Sequence, residues 1–203
     1  MSVIGFTLIH TMVSPLFLLF TLAAAAAEDP TWNDAPWIGS SANAVIGDAS
    51  DLFRTTFTTP ADAGNGSSSA ILHVATLGMG FSRINGLEVS DDRLTHSGWT
   101  DNENRVLYST YDVSSLLAPA GEANVLAIAV GTGWRDQITY PRRDDTASST
   151  EDSTHLRLCR AILELPGTTV VVTTSQDWWT APGPWLRTSI YNGESRLRRL
   201  YPE

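Results

Sequence analysis

Apolar and polar positions alternate in short runs from about residue 52 to 191, and they almost never recur at helical spacing. Leu52 to Thr58 is rich in aromatic and β-branched residues and reads as a first strand. After the Pro/Gly/Asn/Ser loop Pro60 to Ser69, Ala70 to Leu77 is a second. Gly78 and Gly80 bracket Met79 and permit a bend. Asn85-Gly86 then stands between Phe81–Ile84 and Leu87–Val89, a strong short hairpin signal because both turn residues must take positive φ. Arg105 to Val113 alternates, with Val106, Tyr108 and Thr110 on one face. Asp112 to Leu117 can form one helical turn capped by Asp112 or Ser114. Ala123 to Val130 is almost continuously apolar, as a central strand would be. His155–Leu165 and Thr168–Thr173 form a hairpin across Pro166-Gly167, and Leu186 to Tyr191 closes the chain. About eight short strands with turn signals every ~8–12 residues predict one all-β domain, an antiparallel β-sandwich of jelly-roll type over residues 52–200.

Two segments precede that pattern. Met12 to Leu22 is apolar, Ala23 to Ala27 are alanines, and Glu28-Asp29-Pro30 ends the apolar character. This predicts a signal peptide over residues 1–27 and a secreted, extracellular protein, although the segment before the apolar run lacks Lys and Arg. An uncleaved membrane anchor over Val3 to Ala27 is the alternative. Residues 28–51 carry Trp32, Pro36 and Trp37 without any period, and read as an irregular lead-in packing its indoles on the body. Asn65-Gly66-Ser67 is a glycosylation sequon in a loop able to hold a glycan.

Composition narrows the function classes. With 203 residues and 42% hydrophobic content, a sizeable core is possible. A net charge of −9 argues against nucleic acid, and the clusters Arg142-Arg143 and Arg196, Arg198, Arg199 read as solvated surface. Cys159 is the one cysteine, so no internal disulfide forms; its apolar setting predicts a buried, inert thiol. His10, His73, His96 and His155 are far apart and show no zinc spacing with Cys159. There is no Gly-Xaa-Ser-Xaa-Gly elbow and no phosphate loop.

Glycoside hydrolysis needs two carboxyl groups flanking the bond, one with a raised pKa. Asp91 and Asp92 are sequence neighbours and point to opposite sides of an extended segment, and most other acids sit in loops predicted to be solvated. Independent catalysis is therefore not expected, and no catalytic residue is assigned. Sugar binding asks for flat apolar faces beside fixed polar groups, and the loops offer both. Candidates are Trp99, Asp101 and Asn102, then Trp134 and Asp136, then Trp179 in the final loop with Trp178 and Trp185. Tryptophans beside glycines also serve as plugs at the end of a sandwich, so both readings stay open.

Six segments, in order, carry a resemblance: Ala35–Gly39 before Phe53–Phe57, Ile84–Val89, Gly98–Asp101, Tyr108–Val113, Gly131–Trp134 and Ile190–Glu194. Over roughly Trp37 to Leu200 the chain resembles the N-terminal β-sandwich domain of bacterial-type α-L-rhamnosidases, whose architecture is like that of carbohydrate-binding modules. The resemblance implies an accessory domain ahead of a separate (α/α)₆ barrel that holds the catalytic acids. It implies a rhamnose-containing glycan as partner and calcium as cofactor, with Asp91 and Asp92 as metal ligands; a polar turn is the other reading of that pair. Departures from the family pattern are Ser97 before Gly98-Trp99, Thr188-Ser189 before Ile190-Tyr191, and Ser195–Arg198 after Glu194. Three functions remain open: a non-catalytic rhamnose-binding domain, the N-terminal fragment of a rhamnosidase whose barrel is missing from this chain, and a structural interaction module.

Overall fold

The computed structural model describes residues 30–39, 50–61, 69–91, 98–102, 104–134, 157–165, 171–190 and 193–196. The predicted signal peptide lies outside the described residues, and no helix among those described is long and apolar enough to cross a membrane.

Twelve strands are described: β1 (Ile38–Gly39), β2 (Asp51–Thr58), β3 (Ile71–Leu77), β4 (Met79–Ile84), β5 (Leu87–Glu88), β6 (Ser109–Asp112), β7 (Ala123–Gly131), β8 (Leu158–Glu164), β9 (Val171–Thr173), β10 (Trp179–Pro182), β11 (Trp185–Ser189) and β12 (Gly193–Arg196). They form two five-stranded sheets and a hairpin, with every pairing antiparallel. One sheet runs β1-β8-β3-β6, with β9 also on β8; the other runs β10-β2-β7-β4-β5; β11 and β12 pair with each other. This is the antiparallel sandwich expected, and helical structure among the described residues is limited to two 3₁₀ turns.

Alternation on the strands builds the core. Phe53, Ile84, Leu126, Ile128 and Val130 from one sheet meet Leu72, Val74, Cys159, Ala161 and Leu163 from the other, all fully buried. At about 25 cal/mol per Å² of buried apolar area, this interleaved set is the main source of stability. The hairpin turns where the sequence places it, with φ of 53° at Asn85 and 84° at Gly86.

Departures from the sequence reading cluster at edges. The strand expected over Arg105–Val113 is confined to Ser109–Asp112. Pairing with β3 runs out at Val74↔Ser109, while Arg105 N–H is already bound to the Asp101 carbonyl at 2.8 Å. The lead-in is less irregular than expected, since it holds a 3₁₀ turn at Trp32–Asp34 and the two-residue β1. Its indole does pack on the body: the Arg160 guanidinium covers Trp32 and donates to the carbonyls of Trp32 and Ala35. The expected final loop contains a strand, β10, which pairs with β2 through Trp179↔Arg54 and ends on Pro182 at the sheet edge, where proline costs no ladder bond.

Candidate aromatic platform

The sandwich end where β7 leaves its sheet is held by close backbone packing. A Cβ on Gly133 would lie 2.7 Å from Gly78 Cα and 2.9 Å from Met79 N. A Cβ on Gly131 would lie 2.9 Å from Thr188 Oγ1. Only glycines let the exit strand thread between the β3–β4 bend and β11. Thr188 completes the seam: its Oγ1 accepts from Thr132 N–H at 2.8 Å and donates to Thr132 Oγ1 at 3.2 Å. Thr188, one of the departures noted in the sequence, thus holds this exit in place.

Trp134 follows directly from that exit. Its indole stacks on Trp99, centroids 5.5 Å apart and planes 13° from parallel. Trp99 is 82% exposed, so the pair is no core plug; most of its indole is offered to solvent. Trp99 is carried by a tied loop. Thr100 Oγ1 donates to the Arg105 carbonyl at 3.1 Å, and Asn104 N–H to the Asp101 carbonyl at 3.0 Å. The Asn104 amide donates to Asp101 Oδ2 at 2.6 Å, fixing that carboxylate, while Asn102 is half-buried beside it. Stacked indoles, a fixed carboxylate and an amide form a flat apolar surface with polar groups at its border.

The structure therefore brings together Trp99, Trp134, Asp101 and Asn102. It does not bring Trp179 to them. Trp179 is 58% exposed on the edge strand β10, opposite Arg54 and level with Ala127, four residues before the Gly131 exit. Trp178, its neighbour, turns inward at 6% exposure and donates its Nε1–H to the Thr173 carbonyl at 3.0 Å. Trp185 sits edge-on to Phe81 beneath Arg196. Asp136 and Asp92 lie outside the described residues. Asp91 is exposed after β5, and no group of three or more His, Cys, Asp or Glu able to hold a metal occurs among the described residues.

Hydrolytic chemistry finds no support in the groups that are described. Asp112 is lowered in pKa, because Ser114 donates from its hydroxyl at 2.5 Å and its N–H at 3.0 Å; a general acid needs the reverse. The short turn expected there runs over Ser114–Leu116, but its N-cap is Val113, with no side-chain cap bond, in place of the expected Asp112 or Ser114. Asp51 is buried facing Arg157 at 3.5 Å, an internal ion pair. Burial pushes the Cys159 thiol well up, so it is inert as expected. His73 is 3% exposed, with Nδ1 2.9 Å from Thr110 Oγ1 and Nε2 3.9 Å from Glu164 Oε1.

Residues 66–203 match the model of the alpha-L-rhamnosidase N-terminal domain. The chain is 32% identical over 178 residues to an alpha-L-rhamnosidase of Streptomyces avermitilis, covering 84% of this chain and 15% of that protein. It is 32% identical over 129 residues to an alpha-L-rhamnosidase of Alteromonas sp. (strain LOR), covering 62% and 13%. In structure it resembles the native enzyme of Aspergillus terreus, with TM-score 0.65, 25% identity, and 81% of this chain against 18% of that one. It also resembles the S. avermitilis enzyme solved with L-rhamnose, with TM-score 0.60, 30% identity, and 74% against 14%. The chain thus spans about a seventh of the length of the curated relatives it matches.

Proposed function

Because this chain belongs to the family of α-L-rhamnosidase N-terminal domains, we propose that it is a non-catalytic carbohydrate-binding domain for rhamnose-containing glycans. The observation that supports this reading is the Trp99–Trp134 stack, with Trp99 82% exposed beside the fixed Asp101 carboxylate. A pyranose lays its C–H face on an indole and turns its hydroxyls to the polar border. Residues 1–27 serve export in the same reading. Calcium is proposed as an aid through Asp91 and Asp92; it takes six to eight oxygens, so most of its ligands would come from other groups and water.

Titration calorimetry with L-rhamnose and a rhamnosyl oligosaccharide, with and without calcium, tests this. Saturable heat is expected, with the affinity weakened at least roughly tenfold by Trp134→Ala, a loss of about 1.4 kcal/mol. Absence of heat with every sugar, in both conditions, overturns it.

A second reading rests on the small share of the relatives that this chain spans. It takes the chain as the N-terminal part of a glycosidase whose barrel lies elsewhere. A barrel-coding stretch in frame after the Glu203 codon supports it; an unrelated sequence there counts against it.

A further inference from the structure

A cleft that shares no residue with the stacked indoles lies between the lead-in and the turn that precedes β10. We propose that this cleft binds one neutral pyranose ring. The proposal shares no residue with the Trp99–Trp134 platform and does not depend on that platform's being a sugar site.

The cleft has a volume of about 280 Å³. Ligand pockets for drug-sized molecules begin at about 300 Å³, so the space suits a single ring rather than a chain of them. Trp37 and Trp178 are its aromatic lining, with Ile38 and Gly39 of β1 beside them. Ser175, Gln176 and Thr180 supply the polar lining. Among the described residues no ionisable side chain lines it, so none of them compensates a charged ligand for lost hydration.

Both sides of the cleft are fixed before any ligand arrives. Trp178 is anchored by its Nε1–H to the Thr173 carbonyl, and its backbone N–H closes the turn on the Ser175 carbonyl at 3.2 Å. Ser175 Oγ accepts from Asp177 N–H at 3.3 Å, which leaves its own proton to donate. On the facing side, Thr174 Oγ1 donates to the Pro36 carbonyl at 2.8 Å, Arg160 donates to the Ala35 carbonyl, and β1 pairs with β8 through Ile38↔Cys159. Gln176 is exposed at the turn, with an amide that can both donate and accept. An anchored indole edge at Trp178, the Trp37 ring and neutral hydroxyl and amide groups are what a sugar ring needs: apolar contact for its C–H face and paired donors and acceptors for its hydroxyls.

The test uses the full chain with ¹⁵N-labelled tryptophan and follows the indole N–H signals, assigned by single Trp→Phe variants. Methyl glycosides of L-rhamnose, D-mannose, D-galactose and D-glucose are titrated in turn, with D-glucuronate as the charged control. Saturable shifts of the Trp37 and Trp178 signals are expected with at least one neutral glycoside. They should persist in Trp134→Ala, while Gln176→Ala, an exposed and fold-neutral change, should weaken them roughly tenfold. The proposal is overturned if those two signals stay still with all four glycosides, or if they disappear in Trp134→Ala. Equal shifts with D-glucuronate, or undiminished binding by Gln176→Ala, also overturn it.

Discussion

Two buried polar residues show how single side chains set stability here. Asn124 is fully buried on β7 and saturates its amide: Nδ2 donates to Thr59 Oγ1 at 2.7 Å, and Oδ1 accepts from Ala118 N–H at 2.7 Å and Asn85 Nδ2 at 2.9 Å. Asn124→Ala leaves these partners without it, so denaturant unfolding should show a loss of about 2–3 kcal/mol. His73 has its pKa lowered, chiefly by burial, with Glu164 pulling the other way; Thr110 and Tyr108 also face its ring. The unfolded chain therefore binds the proton more readily than the folded one. Stability is full above the unfolded pKa of about 6.5 and falls as pH drops toward the lower folded value. Melting temperature measured from about pH 7 to 5 should fall, and His73→Gln should flatten that slope. Asp112 titrates below this window, since its own pKa is lowered.

At the scale of elements, the Gly131–Gly133 exit ties fold to function. Gly133→Ala would push a methyl group into the Gly78 and Met79 backbone, with no flexible side chain there to yield. A loss of about 1–3 kcal/mol is expected, together with a weakened exciton signal in circular dichroism as Trp134 is displaced from Trp99. A cooperative melt and an unchanged couplet would refute that coupling. The central strands were legible because burial on one or both faces writes a pattern of twos or an unbroken apolar run, as in Leu52–Thr58 and Ala123–Val130. The strands β1, β10 and β12 were not, because two to four residues at an edge take their pairing from a neighbour rather than from their own alternation. The same limit applied to the site. Gly-Trp at residues 98–99 and 133–134 marked both indoles, yet their stacking depends on two loops converging. Nor could sequence tell that Trp178 would turn in and Trp179 out, although strand alternation across that pair is a signal in hindsight.

For the whole molecule, the proposed function is that of a sandwich that binds sugar without cleaving it. The isolated chain should release no aglycone from an aryl α-L-rhamnoside, measured by absorbance at enzyme concentrations in excess of any trace contaminant; turnover that copurifies with the folded chain through successive columns would refute this. The wiring of the first sheet has a further consequence for synthesis. Strand β3 lies between β6 and β8, and its register joins Val74 to Ala161, 87 positions later by subtraction. On the ribosome, Leu72 and Val74 therefore emerge long before the strand that will cover them. At about 5–20 residues per second, that gap lasts several seconds, during which the edge of β3 that β8 will take has no partner and is open to aggregation.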